Sequence, residues 1–239
     1  LEDDQETLQL LSLIAQKFVN SPLGNLSLII FKSYAKQLMN LKKFTAKTML
    51  NNPIVSVILP VYNAETYVSD TIQSILNQSF QNFELIIIND CSTDNSLSVI
   101  QKFQDPRIII INNERNLKLI KTLNRGIQHA KGKYIARCDA DDIFDKNRFE
   151  KQVHFLEKNP EIGVLGTDAW IIDQNNFILK TTYNFPSQPI ELDIRLKNAS
   201  PFFHPSVMFR KNLVNFTGPY SEDFLHVEDY ALWLNLFSK

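Results

Sequence analysis

Lys133-Tyr134-Ile135-Ala136-Arg137-Cys138-Asp139-Ala140-Asp141-Asp142 is the stretch on which the fold of this chain turns. Its first half alternates apolar and polar residues as a strand does, and its second half places three carboxylates within four residues at the strand end. Like charges that close repel one another, a cost acceptable chiefly where a divalent cation neutralises them. Mg²⁺ or Mn²⁺ held by one or two carboxylates keeps positions open for substrate phosphates, so the stretch reads as a strand delivering a hard-metal site to a phosphorylated donor. Taken alone, an acidic turn capping the next helix would be the plainer reading.

Upstream of that strand the chain alternates strand and helix signals. Ile54-Val55-Ser56-Val57-Ile58-Leu59 is a buried strand, and Val68, Ile72, Ile75 and Leu76 mark one face of a helix. Residues 84–88 form a second strand, and Leu97, Ile100 and Phe103 repeat the helical spacing. Residues 107–111 and a helix with Leu119, Leu123 and Ile127 complete a βαβα rhythm. The pattern predicts an α/β fold, a Rossmann-like three-layer α/β/α sandwich with a mostly parallel central sheet.

Downstream, residues 147–158 read as a helix stopped by Asn159-Pro160. The rhythm then loosens into shorter strands at 162–166, 170–172 and 177–181, with Asp173-Gln174-Asn175-Asn176 as a turn, and a helix at 188–197. Trp170, between Ala169 and Ile171, is expected to pack in the core rather than to stack on a sugar.

Residues 1–50 read as a helical N-terminal extension, with stripes at Leu8, Leu11, Ile14 and Phe18 and again at Phe31, Tyr34, Ala35, Leu38 and Leu41, broken at Ser21-Pro22-Leu23-Gly24. Residues 51–239 read as the second domain. Lys32, Lys36, Lys42, Lys43 and Lys47 make the second stripe basic, so residues 26–47 suit contact with a partner domain or peripheral contact with an anionic membrane. Twenty-five lysines and arginines against 26 aspartates and glutamates leave a formal charge of −1, which argues against nucleic acid as a partner. Cys91 and Cys138 show no metal-ligand spacing and read as reduced thiols. No apolar run approaches the roughly 20 residues that span a bilayer, and the expected location is cytoplasmic, with peripheral association at the inner membrane face.

In an open parallel sheet, ligands bind beyond the carboxyl ends of the strands. Polar residues gather there: Tyr62 and Asn63 after the first strand, Asn89 and Asp90 after the second, Asn112 and Asn113 after the third, and Asp139, Asp141 and Asp142 after the fourth. Together they suit a nucleotide pocket, with an aromatic to stack a base, carboxylates for base or ribose donors, and a cation for phosphates. Leu59-Pro60-Val61-Tyr62-Asn63 replaces any Gly-x-Gly-x-x-Gly after the first strand, and no Gly-Lys-Ser/Thr loop occurs. Dinucleotide dehydrogenases and P-loop NTPases are therefore disfavoured. Lys118 and Lys121, opening the third helix, are the basic candidates for the phosphates.

Val57-Ile58-Leu59-Pro60-Val61-Tyr62-Asn63-Ala64-Glu65, Ile88-Asn89-Asp90-Cys91-Ser92-Thr93-Asp94, Asn124-Arg125-Gly126-Ile127, Asp139-Ala140-Asp141-Asp142, His204-Pro205-Ser206-Val207-Met208-Phe209-Arg210 and Glu228-Asp229-Tyr230 stand in an order and spacing that resembles glycosyltransferase family 2, of GT-A fold. The resemblance covers about residues 53–238. It implies an inverting transferase using a nucleotide-activated sugar, with Pro60, Tyr62, Asn63, Glu65, Asp90, Lys118, Lys121, Asp139 and Asp141 on the donor. It also implies a DxD pair at Asp139 and Asp141, Mn²⁺ or Mg²⁺ on Asp141 or Asp142, and Asp229 as general base. His204, Ser206 and Glu228 fall on the acceptor side. The register separating ribose-binding from metal-binding aspartates differs among relatives and is left open here.

An inverting displacement needs a carboxylate on the acceptor side to take the hydroxyl proton, which agrees with the role implied for Asp229. The expected reaction is metal-dependent transfer from a nucleoside diphosphate sugar, UDP by default, to a glycan, lipid-linked or protein acceptor, in surface polysaccharide synthesis. The alternatives are a sugar nucleotidyltransferase, disfavoured because no glycine-rich loop with arginine and lysine follows the first strand, and a non-catalytic glycan- or nucleotide-binding fragment. The chain departs from the family at Leu117-Lys118, where a glycine commonly follows Asn116, and at Lys146, where proline is frequent. It also reads as short, or truncated, just beyond Asp229.

Overall fold

The computed structural model describes residues 52–181 and 189–237. Its centre is four runs of mostly aliphatic residues, β1 (Val55–Val61), β2 (Phe83–Asn89), β3 (Ile108–Asn112) and β4 (Tyr134–Arg137), laid parallel in the order β3-β2-β1-β4. Every residue of β1, β2 and β4 is buried. Such strands cannot alternate polar and apolar residues, because both faces of the sheet are covered. The helices α1 (Val68–Leu76), α2 (Ser96–Ile100), α3 (Lys118–His129) and α4 (Arg148–Lys158) link and cover them.

Two apolar layers result. Val57, Leu59, Ile72, Ile75, Tyr134, Ala136 and Phe149 pack on one face of the sheet, and Ile58, Ile88, Leu123, Ile127, Ile135 and Trp233 on the other. α3 lies so close to the sheet that a Cβ on Gly126 would stand 2.6 Å from Ile58 Cγ2 and 2.9 Å from Ile88 Cδ1. The expected three-layer α/β/α sandwich is what these elements form.

Beyond β4 the sheet changes character. β5 (Val164–Leu165), the hairpin β6 (Trp170–Ile172) and β7 (Ile178–Thr181), and α5 (Pro189–Leu196) lead to β8 (Met208–Arg210). β8 runs antiparallel beside β4, and β5 antiparallel beside β8, giving the order β3-β2-β1-β4-β8-β5. A short helix α6 (Val214–Thr217) and then α7 (Glu228–Phe237) follow. The sequence marked residues 204–210 as a motif without assigning them a strand, and a three-residue strand carries too little periodicity to read. The helical spacing through Phe103 also overran, since α2 ends at Ile100.

Trp170 corrects an expectation. It is 62% exposed, not packed in the core, because the β6–β7 hairpin forms a separate two-stranded sheet. Ile171, Phe177, Ile178 and Leu179 are exposed with it. The helical extension at residues 1–50 and the contact surface at 26–47 lie outside the described residues. Among the described residues no helix is long and apolar enough to cross a membrane. Both cysteines are free, and burial pushes the Cys138 thiol up to about 11, in keeping with an inert group.

The junction of β4, β8 and β5 is held by two side chains of α4. Arg148 Nη2 donates to the carbonyls of Arg137 (3.1 Å) and Val207 (3.2 Å), and Gln152 Nε2 to those of Leu165 (3.1 Å) and Ser206 (2.9 Å). Gln152 is buried, so Gln152→Leu strands two carbonyl oxygens. The expected cost is about 2–4 kcal/mol, read as a lower urea midpoint at unchanged m.

Candidate active site

The exits of β1, β2 and β4 open into one cleft of about 430 Å³, whose lining does not include Asn112 or Asn113 of the β3 exit. β1 contributes Pro60, Tyr62 and Asn63 to its lining, β2 contributes Asp90, and the β4 exit contributes Asp139 and Asp141. Lys118, at the start of α3, also lines it. Seven of the nine donor-side residues expected from the sequence are thus brought together. Tyr62 is about half exposed, so its ring face is available to a planar ligand. Tyr67, which the sequence reading passed over, stands in the same wall.

Asp90 is almost fully buried and organises the floor. Its Oδ1 accepts from Asn113 Nδ2 (2.6 Å) and the Leu117 N–H (2.7 Å), and its Oδ2 accepts from the Lys118 N–H (2.9 Å). The carboxylate therefore satisfies backbone donors where α3 begins, and its charge suits that helix end. Asn113 donates also to Thr122 Oγ1 (3.1 Å) and accepts from Arg125, tying the β3 exit to α3. Lys118 occupies the left-handed region, with φ of 68°. Within the Leu117-Lys118 pair, where the resemblance leads one to expect a glycine, Lys118 thus adopts a backbone shape that glycine takes at least cost.

The other two donor-side residues lie off the cleft wall. Glu65 Oε2 accepts from the Asn95 N–H (2.8 Å), and Lys121 pairs with Glu222 (3.1 Å). Glu65 instead belongs to a lattice joining the β1 and β2 exits. Asn63 N donates to Ser92 Oγ (3.1 Å), Thr93 N to Asn63 Oδ1 (2.8 Å), Ala64 N to Ser96 Oγ (2.8 Å), and Glu65 N to Asp94 Oδ2 (3.0 Å).

The acidic loop is anchored to α1 by Thr71 Oγ1, which donates to the Ala140 carbonyl (2.9 Å). Asp139 is ion-paired with Arg137. Asp142 is different: burial first, then the charges of Asp139 and Asp141, push its carboxyl up to about 6. Among the described residues no three His, Cys, Asp or Glu side chains are grouped to enclose an ion. A carboxylate or two in a mutually repelling cluster fits Mg²⁺ or Mn²⁺ shared with substrate oxygens, the mode in which such ions keep most of their coordination outside the protein.

The Asp142 shift fixes a pH prediction for the cation-free protein. The folded-state value lies above the usual 3.8, so the folded protein holds this proton more tightly than the unfolded chain does. Stability from this group is full at low pH, falls as pH rises from about 4, and is lost above about 6, by up to roughly 3 kcal/mol. Asp142→Asn in EDTA should therefore raise the melting temperature at pH 7.5, by about three times as much as at pH 4.5.

α7 presents Glu228 and Asp229 in its first turn, where the helix favours negative charge. Glu228 is buried, while Asp229 is partly exposed and accepts from Ser200 Oγ (3.3 Å). Ser206 is buried and donates to the Phe203 carbonyl (2.9 Å) while accepting from the Thr167 N–H (3.1 Å). His204 Nε2 is hydrogen-bonded to the Tyr220 hydroxyl (2.9 Å). Burial, and then the charge of Arg137, hold the His204 imidazole well below its ordinary value, so it is neutral near pH 7.

Tyr220 is the residue that links the two sides. Burial raises its hydroxyl pKa, while the nearby charges of Arg137, Asp229, Glu228 and Asp139 act on it together. Asp139 and the α7 carboxylates are thus each close enough to Tyr220 for their charges to act on its hydroxyl. Asn124 of α3 holds the Tyr220 backbone from both sides, accepting from its N–H (3.0 Å) and donating to its carbonyl (2.8 Å). Sequence reading missed Tyr220, which lies 96 residues from Asn124. The only available signal was Asn124 within the Asn124-Arg125-Gly126-Ile127 motif.

The chain is similar in sequence and in fold to known glycosyltransferases. EpsE of Bacillus subtilis is 38% identical over 196 residues, spanning 80% of this chain and 69% of the relative. WfgD of Escherichia coli, named a UDP-Glc:alpha-D-GlcNAc-diphosphoundecaprenol beta-1,3-glucosyltransferase, is 34% identical over 78% of this chain and 71% of its own. An Haemophilus influenzae glycosyltransferase is 38% identical over 77% and 60%. The chain thus spans 60–71% of the length of these relatives. The fold is shared with Staphylococcus aureus TarS 1–349 in complex with UDP (TM-score 0.57, 23% identity, 76% of this chain and 55% of that one). It is shared also with the Pyrobaculum calidifontis mannosyltransferase PcManGT in complex with GDP-Man and Mn²⁺ (TM-score 0.59, 17% identity, 82% and 58%). The family profile described as "Glycosyl transferase family 2" matches residues 56–216, and with these relatives it shows that the chain belongs to glycosyltransferase family 2.

Proposed function

We propose that this chain is a metal-dependent inverting glycosyltransferase acting on a nucleoside diphosphate sugar, with UDP as the nucleotide and a glycan or lipid-linked hydroxyl as acceptor. The observation that carries the proposal is the single cleft walled by Pro60, Tyr62, Asp90, Lys118, Asp139 and Asp141 in a chain of glycosyltransferase family 2. The relative named for UDP-Glc and a diphosphoundecaprenol-linked sugar supports the donor and acceptor classes.

In this reading Tyr62 stacks on the base, Asp90 and Pro60 border it, and Lys118 neutralises phosphate charge. Asp139 takes donor hydroxyls, while Asp141 and Asp142 hold Mg²⁺ or Mn²⁺. When bound, the cation supplies charge stabilisation for the departing diphosphate. Asp229 accepts the proton of the acceptor hydroxyl as its oxygen bonds to the anomeric carbon. The bond from that carbon to the diphosphate oxygen breaks on the opposite face, and the configuration inverts. His204, neutral and fixed by Tyr220, offers its remaining ring nitrogen to the acceptor without adding charge.

Titration with UDP and with GDP, with and without Mn²⁺, tests the donor half directly. Mn²⁺ should strengthen UDP binding at least tenfold, and Asp141→Ala should remove that enhancement while leaving the fold intact. Binding of neither nucleotide under either condition overturns the proposal.

A further inference from the structure

Arg137 ends β4 immediately before the acidic loop, and its position in the strand places it on the same face as Ile135, toward Phe209, Tyr220 and Trp233. It is 3% exposed. Its Nη1 is in ion-pair contact with Asp139 Oδ2 without hydrogen-bonding alignment, and its Nε has no partner. The groups around it do little to compensate. His204 is neutral and already bonded to Tyr220, and Trp233, 6.3 Å from His204 between ring centroids, carries another buried N–H without a partner.

A guanidinium with unmade hydrogen bonds in a buried, aromatic setting is costly, and such a pair is weak evidence for stability. A methionine or leucine would fill the same space without that cost. Of the nearby carboxylates Asp139 is the one in ion-pair contact with Arg137, and the contact ties its Oδ2 to the end of the strand. Asp139 also lines the donor cleft. The arrangement orients a ligand-facing carboxylate at the expense of the core beneath it.

We propose that Arg137 is a positioning residue of the donor site, an internal counter-charge that fixes Asp139 toward the nucleotide sugar and reserves Asp141 and Asp142 for the cation. The inference rests on the donor reading given above. Arg137 acts through Asp139 and touches no substrate itself.

The experiment combines thermal melting with calorimetric titration of UDP in Mn²⁺, on the full chain and on Arg137→Met, Arg137→Lys, Asp139→Asn and the Arg137→Met/Asp139→Asn double variant. Arg137→Met should melt within about 2 °C of wild type or above it, yet bind UDP about tenfold or more weakly. Arg137→Lys should recover part of that loss, because the charge remains while the fork does not. In the Asp139→Asn background, Arg137→Met should change affinity by less than about twofold, as expected for two residues acting as one unit. A large fall in melting temperature with UDP affinity intact overturns the inference, and so do losses that multiply in the double variant. Should Arg137→Met fail to fold, the claim that the pair is not kept for stability is lost, and Arg137→Lys with Asp139→Asn still decides the donor role. Absence of nucleotide binding by the wild-type chain would instead overturn the donor reading.

Discussion

Asp229→Asn is expected to bind UDP in Mn²⁺ as the wild type does and to transfer sugar about 10²- to 10⁴-fold more slowly, the range over which a positioned general base acts. Asparagine keeps the size of the side chain and its contact with Ser200 Oγ (3.3 Å in the wild type) but cannot take a proton. The fold should be indifferent to the change, since Asp229 is partly exposed and sits in a helical first turn, where losing its charge costs at most about 1 kcal/mol. Release of nucleoside diphosphate under acceptor saturation, with melting temperature measured alongside, separates chemistry from stability. Undiminished transfer by Asp229→Asn would remove the base from Asp229 and require another carboxylate in this neighbourhood.

The second large effect is expected at Asp90, and it combines two losses. Asp90→Ala removes an acceptor from Asn113 and from the N–H groups of Leu117 and Lys118, all within 2.9 Å of it. Charge-assisted bonds of this kind leave a penalty on the order of 3 kcal/mol when one partner is deleted, so a clear fall in the urea midpoint should follow. The start of α3 carries Lys118 into the cleft, and UDP affinity should fall about 100-fold or more even for the molecules that remain folded. Asp90→Asn should show part of the same defect, because its amide oxygen can keep the two bonds now made to Oδ1 while its amide nitrogen would meet the Lys118 N–H instead of accepting from it. Normal stability with normal UDP affinity in Asp90→Ala would refute both roles.

What the sequence made legible follows from burial. β1, β2 and β4 are covered on both faces, so their apolar runs are uninterrupted and easily recognised, and the polar residues at their exits stand out by contrast. Asp90, Tyr62, Asp139 and Asp141 could be placed in one cleft for that reason. β8 could not be seen as a strand, since three residues hold no period and its partners β4 and β5 are distant in sequence. Trp170 misled because an aromatic between apolar neighbours reads as core wherever a second layer exists, and the separate β6–β7 sheet has none among the described residues. Arg137 read as the polar end of a strand, and only the ion pair with Asp139 and the unpartnered Nε give it a role. Tyr220 depends on contacts to His204 and Asn124 that no local pattern announces.

The bonds that join the β1 and β2 exits carry a lesson for redesign. Asn63, Glu65, Ser92, Asp94 and Ser96 each hold a neighbour from the opposite loop, so none can be exchanged without loosening its counterpart. Each bond runs from a backbone N–H to a side-chain acceptor, so a lost acceptor cannot be restored by a change in the opposite loop. Reshaping this mouth would therefore require replacements that keep an accepting oxygen at each of these positions.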